Sequence, residues 1–270
     1  MIELKDGDLF IDSRTSSKGN QMKWHSEDGM WYKADYLGYE GLSEYVCSNL
    51  LKSSSLQDNE YVLYDTCSIK YKKSVFKGCV SNNFLGKGES LITLERLYSS
   101  MFHKSFLEAV FSIDDHTARL EYIVNTVKHL TGINDFGIYL AKLMTVDALF
   151  LNDDRHLHNV AVIRKTDGSF RTCPVFDIGA GLLSDTTIDY PIGEDIDQLI
   201  KECKPKTFCE SFDEQLEICE KLYGRQVKFE FSRNDVISVL NKEEVYDKET
   251  KERVYDIIME QRRRYSYLFN

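Results

Sequence analysis

The stretch from residue 140 to residue 150 carries Leu140, Leu143, Met144, Val146, Leu149 and Phe150 around nearly the whole circumference of a helix. A helix apolar on every side cannot lie on a surface, so this one must be the buried spine of a sizeable helical body. Asn134 or Asp135 is placed to start it, and the pattern runs to Leu151. The chain leaves the spine directly into Asn152-Asp153-Asp154-Arg155-His156-Leu157-His158-Asn159. A rigid buried helix fixes the loop that follows it, which is what a catalytic side chain requires.

The spacing within that loop is informative. Asp154 and Asn159 stand five positions apart, the separation at which one loop of a phosphoryl-transfer site offers a proton acceptor and a Mg²⁺ ligand. Asp177, in Phe176-Asp177-Ile178-Gly179, follows a hairpin signal. Residues 160–163 read as a strand, Lys165-Thr166-Asp167-Gly168 as a turn, and 172–176 as the return strand. Such a pair would carry Asn159 and Asp177 to the same end, where both could serve a metal. Two blander readings stand beside this one. Asp and Asn after an apolar helix also serve as caps or turn residues. Asp153, Asp154, His156 and His158 also form a metal-ligand set by residue type.

The totals bound the possibilities. At 270 residues and 42% hydrophobic, the chain can fill one large domain or two lobes. A net charge of −10 argues against a nucleic-acid-binding surface. Seven cysteines without a C-x-x-C pair read as reduced, mostly buried thiols rather than a disulfide frame or zinc site. The N-terminus lacks a signal peptide's apolar run, and no apolar run reaches the roughly 18 residues of a membrane span.

Before the spine, the chain reads as a small β lobe. Strands are expected at 8–11, 22–24 and 30–34, with a polar Ser/Gly loop at 13–21 and a turn at Ser26-Glu27-Asp28-Gly29. That loop can offer N–H groups and hydroxyls to phosphates, or be an ordinary surface loop. Lys33 sits in an aromatic strand, where a kinase places the lysine that reaches the phosphates. Its expected partner is Glu44, on a helix over 41–51; Glu40 is the competitor. Antiparallel strands at 61–69 and 74–84 complete a five-stranded lobe. Leu85-Gly86-Lys87-Gly88-Glu89-Ser90 reads as a hinge and does not satisfy a Walker loop. The lobe boundary thus falls between residues 88 and 89, with a mainly helical body from 89 to 270.

Within that body, Asp114 or Asp115 caps a helix carrying Leu120, Ile123, Val124, Val127 and Leu130, and Gly132 ends it. Residues 178–206 are polar and acidic, in the position of an activation or substrate segment. Amphipathic helices follow at 212–223 and 232–240, the second with a Ser232/Asp235 capping box. The last carries Val254, Ile257, Ile258, Gln261, Tyr265 and Leu268, with Arg262-Arg263-Arg264 as a solvated face.

Asn152-x-Asp154-Arg155-His156-x-x-Asn159 together with Asp177 resembles the HipA-like serine/threonine kinases. The likeness includes the cell-translocating kinases of the CtkA type and, more distantly, phosphatidylinositol 3/4-kinases. It covers nearly the whole chain and implies an α+β, two-lobed protein-kinase-like fold. Asp154 is then the catalytic base, Lys33 the phosphate-positioning lysine oriented by Glu44, and Asn159 and Asp177 the Mg²⁺ ligands. Ser16, Ser17, Lys18, Gly19 and Gln21 would cover the phosphates of ATP, and Asn82, Phe84 and His156 would add nucleotide contacts. The resemblance further implies a Ser/Thr acceptor on a protein substrate and self-phosphorylation of a loop serine. It also implies the toxin of a toxin–antitoxin pair, cytoplasmic in bacteria or translocated to a host cell. HipA-type toxins carry an additional N-terminal subdomain, whereas this chain begins almost at the phosphate loop, which suggests a separately encoded partner. Two alternatives are a lipid or small-molecule kinase, and a nucleotide-binding pseudokinase scaffold. The first lacks a basic membrane-facing patch; the second must explain why every catalytic position is filled.

Overall fold

Short strands with β-branched and aromatic residues in the first 82 positions pair into one sheet. The computed structural model describes residues 1–10 and 21–269; Ser16, Ser17, Lys18 and Gly19 lie outside the described residues. Two compact units emerge from the contacts: Met1–Asn83 with Phe176–Cys203 and Lys228–Asn270, and Phe84–Val175 with Lys204–Val227.

The first unit holds β1 (Ile2–Leu4), β2 (Leu9–Phe10), β3 (Lys23–His25), β4 (Met30–Ala34), β5 (Tyr64–Tyr71) and β6 (Ser74–Asn82). Their order is β1-β5-β6-β4-β3-β2, a six-stranded sheet among the described residues, not the five expected. The addition is β1, which pairs parallel to β5 through Ile2↔Ile69. Three residues are too few to show alternation, so only the tertiary pairing reveals this strand. Trp24, Ile69, Tyr32, Cys67 and Leu4 pack one core on the sheet. Helix α1 (Glu40–Leu51) buries Leu42, Val46 and Leu50. It contacts β5, β6 and also α8 (Arg233–Lys242), which is why so few of its residues reach solvent. Ser232 and Asp235 form the expected capping box on α8, and α9 (Lys248–Arg264) packs against it. The polar 178–206 stretch contains α6 (Ile196–Glu202), capped by Asp195. Only Leu199 and Ile200 of α6 are buried, too few for a periodicity to be read.

In the second unit, β7 (Ser90–Thr93), β8 (Ala161–Arg164) and β9 (Phe170–Thr172) form a sheet in that order. The return strand therefore sits earlier than the expected 172–176: Lys165 N–H donates to Ser169 O at 2.8 Å, closing a tight turn, and Arg164 pairs with Phe170. Ser90-Leu91-Ile92-Thr93, read as the end of a hinge and a helical start, is instead a strand paired with β8. Thr93 then caps α2 (Leu94–Phe102) by accepting from Arg96 N–H. After α3 (Phe106–Phe111) comes α4 (His116–Thr131), with Asp115 as its cap and Gly132 at φ +75° ending it, the left-handed position glycine favours. The spine is α5 (Phe136–Phe150), packed against α7 (Phe212–Tyr223). A Cβ on Gly137 would come within 2.3 Å of the Tyr223 ring, so the close approach of these helices requires a glycine there. All seven cysteines are buried. Among the described residues, no helix is long and apolar enough to cross a membrane.

Candidate active site

In the first unit the site grows from β4. Strand pairing on both sides, with Lys23 and Cys79 opposite Lys33, fixes the Lys33 backbone and leaves its side chain only 11% exposed. Lys33 Nζ donates to Glu44 Oε1 and to Asp177 Oδ1, each at 2.6 Å, and lies 5.1 Å over the Tyr64 ring. Burial alone would lower the ammonium's pKa, but the carboxylates of Asp177 and Glu44 outweigh it and hold the group well above its ordinary value. The second oxygen of Glu44 accepts from Ile178 N–H at 2.9 Å. One glutamate thus ties the lysine of β4 to the backbone beside Asp177.

The competition between Glu40 and Glu44 is resolved by geometry. The Glu40 carboxylate turns back on its own loop and accepts from the N–H groups of Tyr36, Leu37 and Gly38 at 2.7–3.3 Å. Asp177 itself stands at φ +58°, a conformation non-glycine residues seldom adopt and one that active sites often hold. Ser43 Oγ donates to Ile178 O and Ser184 Oγ to Gly179 O, which secures the turn.

In the second unit the loop after α5 is held from beneath. Leu151 takes a left-handed φ of +55° at the end of the spine and turns the chain. Asp147, buried on α5, receives Arg155 Nε at 3.0 Å, Arg155 Nη2 at 3.2 Å and Asn152 Nδ2 at 2.7 Å. Burial raises the Asp147 pKa, against which the Arg155 charge works. Arg155 Nη1 also donates to Asn159 O at 3.2 Å. Arg155 is therefore an internal brace. A carboxylate on a helix buried nearly all round needs a buried partner, and that is the sequence signal for Asp147.

The braced loop presents Asp154 with its side chain 13% exposed. Asn159 Nδ2 donates to Asp154 O at 2.8 Å and Oδ2 at 3.2 Å; a planar amide held this way points its carbonyl oxygen away from Asp154. His156 Nε2 lies 3.8 Å from Asp154 Oδ1, and Lys206 Nζ 3.6 Å from the same oxygen. Burial depresses the His156 pKa while Asp154 pulls it back up. Nothing local in the sequence links Lys206 to this loop.

The first unit thus brings Lys33, Glu44 and Asp177 together, and the second brings together Asp154, His156 and Asn159. Asn82 ends β6, exposed; Phe84 and Gln21 are half-buried. The candidate metal donors, the Asp177 carboxylate and the Asn159 amide oxygen, are hard oxygen ligands of the kind Mg²⁺ takes. Asp153 and the two loop histidines do not form a ligand cluster. Among the described residues, His116, Cys209 and Glu214 are the group with ligand spacing. There burial pushes the Cys209 thiol up to about 11, and its Sγ donates to Ser211 O.

No protein-family model matches this sequence, and no curated protein matches it. Solved structures do. A proinflammatory kinase of Helicobacter pylori, CtkA, superposes with a TM-score of 0.60 at 16% identity, over 97% of this chain and 95% of that one. HipA of the Shewanella oneidensis toxin–antitoxin system, in a complex with HipB and operator DNA, matches with a TM-score of 0.43 at 10% identity. That match covers 97% of this chain and 63% of HipA. At these identities the likeness is one of fold, and this chain has the α+β, kinase-like fold of CtkA.

Proposed function

We propose that this chain transfers the γ-phosphoryl group of ATP to a Ser or Thr hydroxyl of a protein. The observation that carries the reading is Lys33 held at 2.6 Å by both Glu44 and Asp177, a strand lysine paired with a helix glutamate and a metal-type aspartate. The CtkA-like fold supports it. Lys33 then aligns the α- and β-phosphates, and Glu44 keeps it extended. Asp154 accepts the proton of the attacking hydroxyl, while Asn159 keeps the Asp154 carboxylate oriented through its amide nitrogen. Asn159 and Asp177 would hold Mg²⁺, which when bound neutralises charge on the phosphates. The protein contributes position and fixed charge, and these supply most of the barrier reduction in such reactions.

The finer parts of the proposal rest on the HipA-like resemblance. Ser16 or Ser17 accepts phosphate and silences the enzyme, since about −1.5 to −2 added charges beside the triphosphate repel ATP. An antitoxin-type protein restrains the chain. Incubation with γ-labelled ATP, Mg²⁺ and a cell extract tests the central claim. Label on protein, absent with Asp154→Asn, is the expected result. Label on lipid makes it a lipid kinase, and no transfer with retained ATP binding makes it a scaffold. Peptide mapping then asks whether phosphate reaches residues 13–21.

A further inference from the structure

Helix α1 carries Glu44, yet its own N-terminus lacks a side-chain cap from Tyr39. Its first turn is held from elsewhere. Asp35, two residues beyond Lys33, accepts Gly41 N–H on Oδ1 at 2.7 Å. Its other oxygen accepts the hydroxyl of Tyr246 at 2.7 Å. Tyr246 comes from the connection between α8 and α9 and is 5% exposed. A Cβ at Gly41 would meet the Gly78 backbone and the Tyr246 hydroxyl, each at 2.6 Å, so this packing demands glycine at that position.

A second tie starts on α9. Arg253 is buried and its guanidinium goes to backbone and hydroxyl oxygens: Tyr39 OH at 3.2 Å, Tyr190 O at 3.0 Å and Pro191 O at 3.3 Å. Tyr39 OH donates in turn to Leu182 O at 2.6 Å. One side chain thereby fastens the start of α1 to the segment that follows Asp177. A buried arginine costs too much to keep for packing alone unless its donors are placed, and here they are placed on two elements that both meet Lys33.

We infer that the C-terminal segment, through Tyr246 and Arg253, positions Glu44 and Asp177 on Lys33. Both are positioning residues, and their effect on catalysis rests on the kinase reading above. Their effect on α1 does not, which allows the two to fail separately.

The test uses the full chain with Tyr246→Phe, which removes one hydroxyl, and Arg253→Lys, which keeps the charge but not the fork. Hydrogen exchange is followed over residues 38–51 and 180–191, alongside thermal unfolding and ATP kinetics. Tyr246→Phe is expected to speed exchange in 38–51 roughly fivefold, the change one lost hydrogen bond gives. It should lower kcat by a similar factor with little change in KM for ATP. Arg253→Lys should do the same and also speed exchange in 180–191. If Tyr246→Phe does not fold, Arg253→Lys alone decides. Unchanged exchange in both segments for every folded variant overturns the inference. Faster exchange in a protein whose parent transfers no phosphate supports the positioning and sinks the kinase reading.

Discussion

Asp177 Oδ1 accepts a hydrogen bond from Lys33 Nζ at 2.6 Å across 144 residues of sequence. The same ammonium holds Glu44 at 2.6 Å, and Glu44 reaches back to Ile178 N–H at 2.9 Å. The three side chains and one amide form a closed loop, so each fixes the others. These contacts hold Asp177 at its left-handed φ of +58°.

Removing the ammonium should therefore register in stability as well as in rate. Lys33→Met strands the buried Glu44 carboxylate, and breaking a buried pair costs about 3–5 kcal/mol. Adding Glu44→Gln to Lys33→Met should recover part of that loss, since the pair is coupled. Urea unfolding of the two singles and the double checks it. Strict additivity would contradict the closed loop.

Asp177→Ala should abolish the Mg²⁺-dependent tightening of ATP binding, because a hard cation needs that oxygen. Titrations of ATP with and without Mg²⁺ measure it. An unchanged Mg²⁺ effect would move the metal to other ligands.

In the catalytic loop, Asp154→Asn should slow phosphoryl transfer on the order of 10³-fold while leaving the melting temperature nearly unchanged. Asp153 is buried, so Asp153→Asn should appear in the melting temperature more than in kcat. The reverse pattern would place the base one residue earlier. Asp147→Asn leaves the Arg155 charge without its carboxylate, and should destabilise the fold by about 3–5 kcal/mol. An Asp147→Asn protein as stable as the parent would contradict the brace.

Asp35 offers a pH test. Burial raises its pKa to about 7, opposed by the hydrogen bonds from Tyr246 and Gly41 and by the Lys77 charge, and reinforced by Glu40. In the unfolded chain the carboxyl titrates at its ordinary 3.8. Between those values the folded state holds a proton that the unfolded state lacks. Stability therefore falls as pH rises from about 4 to about 7, then levels off. Asp35→Asn should remove that component, seen as a shallower pH slope in urea midpoints. Equal slopes in parent and variant would rule it out.

The sequence by itself determined what local rules encode. The all-round apolar spine, a cap at Asp114 or Asp115, the Ser232 cap, Gly132, the antiparallel pair β5–β6 and the Asp154/Asn159 spacing all follow from periodicities and end signals within a few residues; the structure chooses Asp115. Lys33 and Glu44 were legible as a pair because strand and helix adjoin. Tertiary structure decided what depends on distant partners. A three-residue strand such as β1 has no pattern until β5 lies beside it. The sequence favours Glu44 over Glu40 but does not say where Glu40 goes; the loop amides of residues 36–38 take its carboxylate. Asp147 finds Arg155, Asp35 finds Tyr246 and Tyr39 finds Arg253 across 8 to 214 residues. The boundary drawn at residue 88 is a cut in the chain, whereas the compact units draw on separated segments. Burial selects these pairings: a polar group removed from water must be met by whichever partner the fold brings to it, and sequence order does not say which that will be.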